Sequence, residues 1–233
     1  MQTDHPVVSR AQWDIAREAL LRREKELTRA QDALARERMA LPWVKVDKPY
    51  RFQGAAGSVD LAALFQGRSQ LIVYHFMFGP DWEEGCVGCS FLADHMDSAL
   101  MHLRQHDVTV VAVSRAPYAK LEAFKRRMGW QFPWYSSEGC DFNFDLLASV
   151  PKADGSMEEN SGASAFFRDP DGEIFHTYSS FSRGVERLAG AYNYLELAPL
   201  GRNENGPHFN LGDWVRHHDR YDDARPHACH ACG

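Results

Sequence analysis

Cys86-Val87-Gly88-Cys89 is the segment of this sequence best equipped for chemistry. Two thiols separated by two residues can divide the work, one attacking a substrate and the second displacing it by closing a disulfide. Only the thiolate attacks well, so the pair needs a setting that lowers a cysteine pKa below its ordinary value. A helix start is such a setting, because unpaired N–H groups and the helix dipole favour negative charge. Glu83 and Glu84 act against it, since a nearby carboxylate raises a thiol pKa. Arg115 is the expected cation beside the sulfurs. Cys140 is a third thiol, expected either to resolve an oxidised partner or to sit inert. The structural alternative for the pair is half of a zinc site.

A second cluster, His227-Ala228-Cys229-His230-Ala231-Cys232, packs four ligating side chains into six residues and contains another CxxC. Imidazole and thiolate together suit zinc or monovalent copper, so His227, Cys229, His230 and Cys232 are the expected metal ligands. Two other readings stay open. The tail thiols can pass electrons to the core pair by exchange, or both CxxC pairs can share one zinc. His217 and His218 read as ordinary surface histidines.

The elements that must position these groups follow from pattern. Residues 9–39 carry neither Gly nor Pro and read as one helix capped by Ser9. Trp13, Leu20, Leu27 and Leu34 recur every seven residues, a narrow stripe suited to docking on the domain or to a homodimer. Leu71 to Phe78 is a nearly unbroken apolar run, expected as a strand buried on both faces. Ser90 to His106 follows with helical spacing, so the CxxC lies at a strand-to-helix junction. Val108 to Val113 is a second buried strand, Pro117 to Met128 a second helix, and Phe132 to Tyr135 a short third strand. Ala163–Phe167 and Glu173–Tyr178 flank the turn Asp169-Pro170-Asp171-Gly172 and form a hairpin. The order is β-α-β-α-β-β-β, an α/β fold with a central mixed sheet flanked by helices. Residues 1–49 form the helix and linker, 50–201 the domain, and 202–233 a polar His/Cys-rich tail on the surface.

A formal net charge of −6 argues against nucleic acid or an anionic membrane as the main partner, since either would favour a basic surface. Leu71-Ile72-Val73-Tyr74 is too short to span a bilayer, and the first ten residues lack a signal-peptide core. A cytoplasmic setting is expected, where the five cysteines read as catalytic or metal-binding sooner than as structural disulfides.

The residues also carry a resemblance. Leu71 to Ser136 is similar to the core of the peroxiredoxin and thioredoxin-like superfamily, with its strand ending in an aromatic-rich segment, a cysteine at a helix start and the "VTVVAVSR" strand. Ala165 to Tyr178 is similar to that superfamily's terminal hairpin. More closely, "LIVYHFMFGPDWEEGCVGCSF" and "HTYSSFSRGVERLAGAYNYLELAPLGR" resemble a bacterial family of thioredoxin-like proteins of unknown function, over residues 9–202. The resemblance implies a thioredoxin-like fold. Against peroxiredoxins, Glu83 replaces the Thr or Ser expected three residues before the reactive cysteine. Ala163 and Ser164 stand where an Arg is expected before the hairpin strand, leaving that role to Arg115 or Arg183. No proline stands there either, unlike classical thioredoxins.

The expected function is a thiol-dependent oxidoreductase in which Cys86 attacks a small peroxide or disulfide and Cys89 resolves it. Arg115 would stabilise the thiolate, no cofactor would be required, and a cellular dithiol would return the electrons. The alternative is a metal-binding protein or copper chaperone using the CxxC with His176 or a tail histidine.

Overall fold

The computed structural model describes residues 5–221, and the chain divides into two compact units at Pro42/Trp43. The first unit is a single helix, α1 (Arg10–Met39). Ser9 caps it through a reciprocal capping box with Gln12, which satisfies two of the backbone donors a helix start leaves open. The division comes earlier than the expected residue 49. Trp43 already packs on Phe167 and Phe175, with ring centroids 5.1 and 6.0 Å away.

The second unit begins with β1 (Val44–Lys45), β2 (Arg51–Gly54), β3 (Gly57–Asp60) and the short helix α2 (Leu61–Leu64). Then come β4 (Gln70–His75), α3 (Val87–Ala93), α4 (Met96–Gln105), β5 (Val108–Ser114), α5 (Tyr118–Arg127) and β6 (Trp134–Ser136). The rest is α6 (Phe142–Asp145), β7 (Ser149–Pro151), β8 (Met157–Glu159), β9 (Gly162–Arg168), β10 (Ile174–Phe181), a 3-10 helix at Ser182–Leu188 and α7 (Gly190–Leu197). Eight strands form one mixed sheet in the order β1-β10-β9-β4-β5-β6-β2-β3. β4, β5 and β6 run parallel, joined by helical crossovers, while β9 pairs antiparallel with the other edge of β4. This β-α-β unit, followed by an antiparallel hairpin beyond its first strand and a closing helix, is the thioredoxin-like arrangement.

Alternation along the central strands explains their unbroken apolar runs, because both faces are covered. Leu71, Val73, Val111 and Val113 pack with Phe142 and Phe166 on one face. Tyr74, Phe76, Phe78 and Ala112 pack with Phe124, Trp130, Trp134 and Cys89 on the other. Burying side chains of this size is worth roughly 1.5–3 kcal/mol each.

The structure departs from the sequence reading in four places. β4 ends at His75, not Phe78, because Met77 O accepts the Cys86 N–H at 3.0 Å and draws the chain out of the ladder. The expected helix over 90–106 is two helices, broken at His95. Its Nδ1 donates to Phe91 O at 2.8 Å and its Nε2 accepts from Ala191 N–H at 3.0 Å. Hairpins β2–β3 and β7–β8 went unforeseen, being short and weakly patterned. Finally, the segment after Gly201 is not a surface tail throughout its described part, since Val215 and His217 are only 2% and 3% exposed. Residues 222–233, with His227, Cys229, His230 and Cys232, lie outside the described residues. Among the described residues, no helix is long and apolar enough to cross a membrane.

Candidate active site

Between β4 and α3 the chain forms a loop, residues 76–85, fixed from beneath by Lys120, whose Nζ donates to Pro80 O and Trp82 O at 2.7 and 2.9 Å. Gly85 lets this loop lie flat on aromatic rings, because a Cβ there would stand 2.6 Å from Phe76 and 3.0 Å from Phe124. Cys86 follows as the N-cap of α3, so its sulfur meets the free amides of the first turn. Sγ accepts the Cys89 N–H at 3.5 Å.

The two thiols have opposite characters. A hydrogen bond from the Cys89 thiol, helped by the Cys89 and Gly88 amides and opposed by burial, lowers the Cys86 pKa to about 7. Burial pushes Cys89 well above its ordinary value, and the neighbouring Cys86 adds to that. Cys89 is 1% exposed, and its Sγ accepts the Met77 N–H at 3.4 Å. The pair thus holds one nucleophile at the surface and one protonated thiol behind it. Both cysteines are free. Deeper still, Tyr74 OH lies 3.4 Å from Cys89 O and 3.1 Å from Ser161 Oγ.

Cys86 opens into a cavity of about 340 Å³ whose walls include Phe91, Val185, Tyr192, Leu211 and Arg183. Arg183 is held by Glu186 at 3.3 Å. Gly88 permits the close approach of the far wall, since a Cβ would meet Leu211 at 3.0 Å.

That wall belongs to the segment 203–221, which straps the CxxC helix. Trp214 packs on Phe91 with 5.5 Å between ring centroids. His217, read from sequence as a surface residue, is buried against Phe124 and bonds through Nε2 to Gly85 O at 2.9 Å. His218 pairs with Asp94 at 2.7 Å. Arg220 and Arg127 both grip Glu84, and Arg127 also binds Asp219 at 2.7 Å. Burial pushes the Glu84 carboxyl up, but Arg220 and Arg127 outweigh it and hold the group below its ordinary value. Its charge is therefore compensated, and the expected antagonism to the thiolate is muted.

Arg115 requires correction. Its guanidinium is committed to Glu159, with Nε 2.9 Å from the carboxylate, and lies over the Phe144 ring at 5.3 Å. It lines a separate cavity of about 290 Å³ with Cys140 and Glu138. The cause is strand alternation: Ala112 faces the CxxC core, whereas Val111 and Val113 face the other way and Arg115 continues their side. Cys140 goes with it, away from the CxxC cavity. His176 is likewise not brought to the sulfurs, for it packs at a tilt against Phe166 and bonds to Ser179 Oγ at 2.7 Å. Among the described residues, no group of three or more His, Cys, Asp or Glu is placed to hold a metal. Tyr74, Ser161 and the strap are site features the sequence reading missed; Tyr74 was concealed within an apolar run.

The profile of a family described as "Bacterial protein of unknown function (DUF899)" matches residues 2–221. No curated protein matches the chain. Among solved structures, a cysteine-to-serine mutant of PrxQ from Xylella fastidiosa is similar at 16% identity, over 65% of this chain and 89% of that one, with a TM-score of 0.46. The peroxidoxin BcpB of Mycobacterium tuberculosis is similar at 14% identity, over 66% and 97%, with a TM-score of 0.47. A putative protein disulfide isomerase from Bacteroides thetaiotaomicron is similar at 18% identity, over 66% and 91%, with a TM-score of 0.39.

Proposed function

The chain belongs to that bacterial family of unknown function, and from this premise we propose that it is a thiol-dependent oxidoreductase, reducing a small peroxide or disulfide through Cys86 and Cys89. One observation carries the reading. A thiol with its pKa lowered to about 7 faces a cavity, while a second thiol, held protonated by burial, hydrogen-bonds to it from behind.

For a peroxide, the Cys86 thiolate attacks the terminal oxygen, forming an S–O bond as the O–O bond breaks. The leaving alkoxide takes a proton and departs as an alcohol or water. Cys89 then attacks the resulting sulfenic acid, expelling water and closing the Cys86–Cys89 disulfide. For a disulfide substrate the same two sulfurs act, with a mixed disulfide in place of the sulfenic acid. The walled cavity favours a small peroxide over a protein disulfide. Arg183, on its wall, takes the place first assigned to Arg115 as the cation for the reacting group. A cellular dithiol closes the cycle, which suits a reducing compartment such as the cytoplasm.

Stopped-flow consumption of hydrogen peroxide, an alkyl hydroperoxide and a small disulfide tests this. Cys86→Ser should abolish the reaction, while Cys89→Ser should consume one equivalent and accumulate sulfenic acid on Cys86. Full activity in Cys86→Ser sinks the proposal.

A further inference from the structure

We propose that the Ser161 hydroxyl carries the proton of Cys89 when that thiol attacks Cys86, an inference that deepens the oxidoreductase reading above and rests on it. The attack poses a proton problem. Cys89 is 1% exposed, and only its thiolate is a good nucleophile. Burial dominates the rise in its pKa, so at neutral pH the proton stays on the sulfur unless another group takes it. Cys89 and Cys86 line the same cavity, and Ser161 lines it with them. Of the hydroxyls there, those of Ser161 and Tyr74 hydrogen-bond to the Cys89 sulfur and work against the effect of burial. The other candidates are engaged. Among the described residues that line the cavity, Glu186 is the one carboxylate, and neither histidine nor lysine is among them. Its two oxygens are held by Arg183 at 3.3 Å and Arg202 at 3.0 Å. Tyr74 is 2% exposed, and burial keeps its phenol protonated far beyond neutral pH.

The backbone fixes Ser161 for this task. Asn160, just before it, is pinned twice, its N–H to Ala148 O at 2.8 Å and its Nδ2 to Leu147 O at 3.0 Å. Ser161 O accepts the Ser182 N–H at 2.8 Å. Ser182 holds a left-handed backbone at φ 53°, which a residue other than glycine keeps only where its surroundings enforce it. So held, Ser161 Oγ lies 3.1 Å from Tyr74 OH. The phenol can donate to it and leave the serine proton free to point into the cavity.

A hydroxyl both accepts and donates, so it passes a proton on without keeping one. As Cys89 Sγ attacks the Cys86 sulfenic acid, the S–S bond forms and the S–O bond breaks. The Cys89 proton passes to Ser161 Oγ, and the proton already there passes to the departing hydroxyl, which leaves as water. The Cys86 sulfur is reduced and the Cys89 sulfur oxidised, and no proton is exchanged with bulk water. Closure of the disulfide is then independent of pH. Without the hydroxyl Cys89 must first ionise to solvent, and its ionised fraction rises about tenfold per pH unit below its pKa.

The fate of oxidised Cys86 tests the inference, because it does not depend on which oxidant made the sulfenic acid. Full-length wild type, Ser161→Ala and Ser161→Thr are treated with limiting hydrogen peroxide in a fixed concentration of a diketone that traps sulfenic acid. Peptide mass spectrometry then reads the ratio of Cys86–Cys89 disulfide to trapped Cys86. Ser161→Ala should lower that ratio about a hundredfold or more at pH 6, a deficit that shrinks about tenfold for each pH unit above it. Ser161→Thr keeps the hydroxyl and should track wild type at each pH. A deficit equal at every pH marks a merely structural role and overturns the inference. So does a ratio that Ser161→Ala leaves unchanged, or a Ser161→Thr protein that behaves as Ser161→Ala does. Those outcomes leave the oxidoreductase reading standing. Wild-type protein that forms no Cys86–Cys89 disulfide at any pH overturns that reading, and this inference with it.

Discussion

Replacing Cys89 by alanine removes the thiol that donates to Cys86 while leaving the amides of Cys89 and Gly88 in place. With a Cys86 pKa of about 7, half of the thiol is ionised at neutral pH. If the variant drifted fully to the free-cysteine value of about 8.5, roughly 3% would be ionised at pH 7, a fall of about 16-fold. A more basic thiolate is also a better nucleophile. With a Brønsted slope of 0.4–0.5, that gains roughly fivefold per thiolate. Alkylation of Cys86 should therefore slow about threefold at pH 7, reach parity at about pH 8 and run about fivefold faster at high pH. The retained amides make these the outer limits. Cys89→Ser keeps a donor and an acceptor for the Met77 amide, so its curve should fall between the two. Iodoacetamide alkylation followed by peptide mass spectrometry reads Cys86 separately from the other cysteines. Curves that run parallel at every pH would mean that Cys89 does not set the Cys86 pKa. A wild-type inflection above about 8.5 would remove the depressed pKa itself.

Glu84→Gln should cost no more than about 1 kcal/mol in urea unfolding, because its ion pairs are partly exposed, and should speed alkylation of Cys86 by loosening the strap. The Glu84 carboxyl is held low, so its contribution is present above the unfolded pKa of about 4.3 and lost as pH falls through the lower folded value. The gap between wild type and variant should close there. His75 shows the same sign of proton linkage in a higher pH window: burial, with His176 nearby, lowers its pKa to about 3. The unfolded chain takes up a proton below about pH 6.5 that the folded chain refuses. Stability should fall by about 1.4 kcal/mol per pH unit from this group down to pH 3. His75→Gln should flatten that slope in urea titrations at pH 4–6; an unchanged slope refutes it. Gly162→Ala would set a Cβ 2.2 Å from the Phe181 ring and 2.8 Å from Ser180 O, so a loss of about 1–3 kcal/mol in thermal unfolding is expected.

The core strands were legible because burial on both faces writes an apolar run that nothing interrupts, as in Leu71 to Phe78. Cys86 and Cys89 were legible because the change from strand to helix periodicity placed them. Arg115 was misplaced because proximity to a sheet edge does not say which face a side chain takes, and one step along β5 reverses it. Hairpin β7–β8 offers too few residues for a pattern, yet it delivers Glu159, the partner that captures Arg115. His217 was misread for a different reason. Its burial depends on Gly85 and Phe124, contacts far along the chain that local polarity cannot reveal.

The His217–Gly85 hydrogen bond joins positions 132 residues apart. On a ribosome adding 5–20 residues each second, roughly 7 to 26 seconds separate the synthesis of one partner from that of the other. Throughout that interval the nascent dithiol stands without its outer wall, open to any oxidant. The long separation thus makes reactivity a matter of birth order: Cys86 meets its surroundings before it acquires the enclosure that selects among them.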